Sequence, residues 1–260
     1  MPTAEEVFSE TFGRFISNWS FVVSLRQISE VALPLAAGTL APVHANAVEA
    51  ISADPDYNKM FINLDGSWSP WSEELKQLMS SGITATAVSN ARKAIDAASL
   101  IFAHSMLDDS AWSYCRVCAL IAPQDWESFV EAKKVDFATV QGKSSDEIRG
   151  DLIQIALDQL ERESLLKKVD TLFRLCNPPK DFAPIDNYAF DRNRLEVIDN
   201  KRHQIIHANG LKAGLENIDD DLEYVKKTSN FLMGLVHRKY GVQIHLLKAI
   251  GRPARPPASV

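Results

Sequence analysis

The chain has 260 residues, 46% of them hydrophobic, with 28 Lys and Arg against 34 Asp and Glu, for a net charge of −6. That length allows one large helical domain or a bundle plus a smaller element, and the apolar content supplies an ample core. Only 11 Gly and 12 Pro argue against a turn-rich β fold, and three cysteines do not make a disulfide framework.

Almost every segment carries helical periodicity. A first helix is predicted from Ala4 to Leu33, with Phe8, Phe12, Phe15, Ile16, Trp19, Val22 and Val23 on its apolar face and Pro34 and Gly38 ending it. A short helix follows Pro42 and stops before Asp54-Pro55. A loop spans 54–69, with extended pieces near Met60 to Leu64. Ser69 then caps a short helix with Pro70 at its first position. A bundle is expected from Ile83. Its first segment runs to Ile121 as one helix or as a pair broken near Asp108-Asp109. Pro123 opens a short helix with Trp126 and Phe129. Ser144 and Glu147 form a capping box for a helix running to Cys176, where Pro178-Pro179 stop it. The next helix runs from Tyr188 to Asn209, and Leu222 to Tyr240 form the last, started by Asp219 to Asp221.

The stretch Arg202-His203-Gln204-Ile205-Ile206-His207-Ala208-Asn209-Gly210 stands apart. Its helix carries an apolar stripe at Leu195, Ile198, Ile205 and Ile206. Arg202 falls on that stripe, seven residues after Leu195 and three before Ile205. A core-facing position calls for Leu or Ile, and a guanidinium cannot shed its charge. Two imidazoles follow within two turns. Local rules break in this way at functional sites.

An Arg, a polar residue directly after it, and a His four to six residues on, near the end of a bundle helix, resembles the motif of HEPN ribonucleases. Arg202, His203 and His207 occupy these places. The helical pattern from about Ile83 to Tyr240 resembles a HEPN bundle as well, while the first eighty residues lie outside the resemblance. The resemblance implies a homodimer whose two motifs face each other across a cleft. It implies metal-independent RNA cleavage by attack of the 2′-OH on the adjacent phosphate, with no cofactor. Arg202 would hold the phosphate, His207 would act as general acid or base, and His203 would assist. Asn209 stands where a toxin subgroup of the family has a tyrosine modified by its antitoxin. A second match of the spacing, Arg238 to His245, is interrupted by Gly241.

The same residues allow a metal reading. Asp199, His203 and His207 recur every four residues on one helix face, although Gln204 stands where a protease motif has Glu and Arg202 would repel a cation. Other segments imitate sites. Phe137 to Ser144 resembles the end of a phosphate-binding loop but lacks its first glycine. Cys115 and Cys118, in an apolar run, read as buried thiols. His104, on an apolar helix face, reads as a core imidazole. Trp68 and Trp71 are loop tryptophans expected to pack onto the fold.

From Tyr224 onward there is no acid and there are seven cations. Four of them, Lys226, Lys227, Arg238 and Lys239, fall on the last helix as candidate RNA-phosphate contacts, while Lys248, Arg252 and Arg255 follow it. The expectation is therefore an all-α protein. Residues 1–82 form a helical extension, 83–245 a HEPN-like bundle and 246–260 a disordered basic, Pro-rich tail. The expected function is that of an endoribonuclease, a toxin or antiviral effector, with RNA, a second copy and a regulatory antitoxin as partners. It is placed in the cytoplasm with no membrane span, since no run reaches about 18 consecutive apolar residues. The rival expectation is a non-catalytic helical module that binds a protein, RNA or nucleotide.

Overall fold

A computed structural model describes residues 2–55, 57, 61–62, 68–69, 71–130, 141–180, 182–184, 188–207 and 215–244. Residues 137–140 of the Phe137–Ser144 segment, the Asn209-Gly210 stop, His245 and the 246–260 tail lie outside these residues.

The chain is all-α. Helix α1 spans Ala4–Ala53 and α2 spans Glu73–Ile121. A 3-10 turn at Pro123–Trp126 leads into α3 (Glu127–Val130), then α4 (Ser145–Glu161), α5 (Leu165–Cys176), α6 (Arg192–His207) and α7 (Ile218–Tyr240). The strands among the described residues are two-residue pieces, Phe61–Ile62 paired antiparallel with Trp68–Ser69.

Local chemistry accounts for the helix starts. Thr3 accepts from the Glu6 N–H and Glu6 Oε2 accepts from the Thr3 N–H, a reciprocal box that opens α1. The predicted Ser144–Glu147 box opens α4 in the same way. Asp191 Oδ1 accepts from the Asn193 and Arg194 N–H groups and opens α6 four residues later than the pattern suggested. Asn177 and Gly241, both left-handed, close α5 and α7.

Further boundaries differ from the sequence expectation. Helix α1 does not stop at Pro34. It continues through Pro34 and Pro42 to Ala53, because both prolines are exposed and the carbonyls they leave unpaired can bond water. Ser69 is in a strand rather than at a cap, and Ser72 caps α2 by accepting from the Leu75 N–H. Helix α2 begins ten residues before Ile83 and passes Asp108-Asp109 unbroken. The helix expected from Ser144 to Cys176 is two helices, since Ser164 starts a new one by accepting from the Lys167 N–H.

Helices α1 and α2 form an antiparallel hairpin, each arm about 75 Å long at 1.5 Å per residue. Pairs along it are nested: His44 Nδ1 with Thr84 Oγ1 at 2.8 Å, Arg26 with Asp96 at 3.4 Å, and Arg14 with Asp109 at 3.3 Å. Only its base enters the bundle. Phe8, Phe15 and Val22 share one core with Leu107, Tyr114, Leu172, Leu195, Ile198 and Leu232. The division at residue 82 falls inside α2, and the first half of α1 belongs to the bundle's core. The other end of the hairpin projects from it. By length and composition, α1 is the one helix among the described residues that could cross a membrane, with an 18-residue stretch of mean hydropathy 1.3.

Candidate functional site

A cleft of about 720 Å³ opens where α2, the α4–α5 junction and α6 meet. Helix α2 contributes His104, Ser105, Asp108, Asp109 and Trp112, which follow helical spacing along one face. The junction contributes Glu161, Arg162, Glu163 and Lys168. Helix α6 contributes Asp199, Asn200, Arg202 and His203.

Two polar pairs fix its walls. His104 is buried, and its Nε2–H donates to Asp199 Oδ1 at 2.7 Å. Burial pushes the His104 pKa below its ordinary value of 6.5, the Asp199 carboxylate opposes that, and Arg202 nearby lowers it further. Lys168, also buried, donates to both oxygens of Asp108 at 2.8 and 2.7 Å. On the rim, Arg14 pairs with Asp109.

Arg202 is half-buried in the cleft wall. Its Nε is enclosed without a hydrogen-bond partner, and no carboxylate among the described residues forms an ion pair with it. Among the described residues, the buried-carboxylate partner that would make it a structural arginine is not there. His203 lies beside it on the cleft and is exposed. His207 is exposed too, but it stands outside the cleft, its ring 4.4 Å from that of His203 and tilted 46° to it. Leu195, Ile198 and Ile205 are buried as expected. Ile206 is not on the buried stripe; it is exposed, because about 100° of helix separates it from Ile205.

The metal reading loses one ligand. The Asp199 carboxylate is held by His104 across the helix interface, and no group of three His, Cys, Asp or Glu among the described residues is arranged for a metal ion.

The four helix cations do not line the cleft, and they do not form one patch. Lys226 and Lys227 reach Glu223 at 3.8 and 3.7 Å. Arg238 lies over the Phe182 ring at 5.2 Å, and Lys239 sits 4.0 Å from Asp125. The two pairs are about 20 Å apart along α7. Helix α7 does not run along the motif helix α6. It packs on α2 and α5 and reaches α6 at its N-terminal end, through Lys201–Asp221 at 2.6 Å and Arg194 donating to the Asp220 carbonyl.

Sequence reasoning missed Asp108, Arg162 and Lys168, and it set His104 aside as core. The signals were an acidic pair inside an apolar helix face, and a Lys at a position whose neighbours Leu165, Val169 and Leu172 are all buried. Cys115, Cys118 and Cys176 are buried free thiols, and burial pushes Cys115 and Cys118 well above the ordinary thiol range.

Because His104 is held neutral in the fold, the unfolded chain takes up its proton at higher pH than the native state. Its contribution to stability is complete above about pH 6.5 and is lost as pH falls through the lower native value. The urea midpoint is expected to drop between pH 7 and pH 5, with a shallower drop in His104→Gln. Parallel slopes in the two proteins would show that His104 is not the group responsible.

Compared with known proteins, the chain matches no family model, no curated protein and no solved structure.

Proposed function

We propose that the chain is a metal-independent endoribonuclease with a HEPN-like site, in which the α6 edge of the cleft receives an RNA phosphate. The observation that carries this reading is Arg202. A half-buried guanidinium with an enclosed, unbonded Nε and no ion pair to a carboxylate among the described residues is a site for an anionic acceptor. A phosphate supplies bidentate acceptors and compensates the charge. His203 stands next to it on the cleft, and His207 lies against His203 on the exposed side.

In the reaction, His207 takes the proton of a 2′-OH as that oxygen attacks the adjacent phosphorus. The P–O5′ bond breaks, the 5′-oxygen leaves with a proton from an acid, and the new end is a 2′,3′-cyclic phosphate. Arg202 balances the charge that builds on the non-bridging oxygens. A second copy supplies the acid, its own His207, if two α6 faces meet. Ile206, exposed and adjacent to His207 in the sequence, provides apolar surface for that meeting.

The test is incubation of purified protein with mixed cellular RNA in excess chelator. Cleavage giving cyclic or 3′-phosphate ends supports the proposal. Loss of cleavage in chelator, restored by zinc, removes it.

One observation favours the rival reading of a binding module without cleavage. The cleft holds five carboxylates, Asp108, Asp109, Glu161, Glu163 and Asp199, against three fixed cations, Arg162, Lys168 and Arg202. Stable binding without product in the same assay selects it.

On the proposed reading, Lys226, Lys227, Arg238 and Lys239 touch only phosphates, away from the cleft. Replacing all four with Gln is expected to weaken RNA binding uniformly across sequences. It should also flatten the salt dependence by roughly 0.7 log units for each phosphate left without its cation. An unchanged salt slope in the folded quadruple variant would make these cations a solvated face.

A further inference from the structure

Asp199 and Arg202 sit three residues apart on α6, a spacing at which an acid and an arginine normally close an ion pair. Asp146 and Arg149, at the same spacing on α4, do so at 3.4 Å, and Arg192 reaches Glu196 on α6 itself at 3.6 Å. Arg202 makes no such pair among the described residues, and its Nε is enclosed without a hydrogen bond. Arg26, the other arginine among them with an enclosed, unbonded nitrogen, is held by both Asp96 and Asp219.

What keeps the α6 pair open comes from the facing helix. His104 of α2 donates through Nε2 to Asp199 Oδ1 at 2.7 Å. The imidazole side chain is 6% exposed and the carboxylate 29%. Turning Asp199 toward Arg202 would leave an enclosed ring N–H without an acceptor. An enclosed orphan donor costs more than an ion pair on a half-exposed helix face returns. The two acids that α2 brings to the cleft are also held. Asp108 accepts two hydrogen bonds from Lys168, and Asp109 pairs with Arg14. Three of the five cleft carboxylates therefore have partners already, and Arg202 is left to an acceptor from outside.

We infer that His104 is a positioning residue for Arg202: by holding the Asp199 carboxylate across the α2–α6 interface, it keeps the guanidinium open to a phosphodiester. This rests on the reading of Arg202 as the phosphate clamp. His104 touches no substrate. It acts by denying Arg202 the acid beside it in the sequence.

The test is binding of a fluorescent 2′-O-methyl RNA oligonucleotide, which has no attacking hydroxyl. Affinity is read by anisotropy on variants whose circular dichroism and urea midpoint show that they fold. His104→Leu releases Asp199 to Arg202 and is expected to weaken binding by about tenfold, the strength of a hydrogen bond to a charged group. His104→Gln, whose amide can still donate to Asp199, keeps most of the affinity. His104→Leu combined with Asp199→Asn leaves no charge to compete and returns binding to the wild-type level. Two further variants leave the imidazole in place. Asp199→Glu carries the charge one methylene further, toward Arg202, and is expected to bind about as weakly as His104→Leu, while Asp199→Asn binds at least as well as wild type. If His104→Leu does not fold, this second comparison decides alone. The inference is overturned by wild-type affinity in folded His104→Leu, by no recovery when Asp199→Asn is added, or by equal binding of Asp199→Glu and Asp199→Asn. Arg202→Ala separates the inference from the reading beneath it. Unchanged affinity in Arg202→Ala removes the phosphate clamp itself. A loss there, with His104→Leu unchanged, leaves the clamp and removes only the positioning role.

Discussion

Arg202→Ala and His207→Ala are each expected to lower RNA cleavage by about 10²–10⁴-fold, the range contributed by a positioned proton-transfer group or a charge clamp. Arg202→Lys should restore little, because an ammonium cannot reproduce the guanidinium fork. Neither alanine variant should unfold the protein. Arg202 has no carboxylate that its loss would strand, and His207 is exposed. The readouts are initial rates on a defined RNA and urea midpoints on the same preparations. Activity close to that of wild type in both variants would remove the α6 edge from the chemistry. A loss of activity accompanied by a collapsed midpoint would make Arg202 a structural residue.

The largest effect on stability is expected at Asp108. Its carboxylate receives both hydrogen bonds from Lys168, whose ammonium is buried where α2 and α5 pack. Asp108→Ala leaves that charge enclosed and unpaired, a loss of about 3 kcal/mol, the low end for a broken buried pair because Asp108 itself is partly exposed. Replacing both, as Asp108→Leu with Lys168→Met, should bring the protein back to within about 1 kcal/mol of wild type, since the desolvation cost disappears together with the attraction. A single variant that costs less than about 1 kcal/mol would mean that water reaches Lys168 in solution and that the pair is not enclosed.

The helical class was legible because it is written locally. The Ser144–Glu147 box, the acids of Asp219 to Asp221 and the periodic Leu and Ile residues each depend on neighbours within a turn or two. Arg202 was legible as a misfit on its own stripe. The rest of the cleft was not. His104 meets Asp199 across 95 residues and Lys168 meets Asp108 across 60, and no pattern within one helix records either meeting. The prolines misled for a related reason. Pro34 and Pro42 each cost α1 a hydrogen bond, but on its solvent side, and packing along α2 holds the helix together past both. Whether a proline ends a helix depends on which way it faces, and that is set by a partner helix distant in the sequence.

The nested pairs of the hairpin also bear on how the chain reaches its fold. His44 and Thr84 are 40 residues apart, Arg26 and Asp96 are 70 apart, and Arg14 and Ser113 are 99 apart. Closing the outermost pair directly would cost the entropy of a loop of about a hundred residues. Once the tip has closed, each further turn adds only a few residues to a loop already formed. The two arms are therefore expected to zip from the tip toward the bundle, with the Phe8–Tyr114 contact formed last. Weakening the tip, at His44 or Thr84, is expected to slow folding, and weakening the base, at Phe8 or Phe15, to speed unfolding, which stopped-flow folding and unfolding rates of the variants would read.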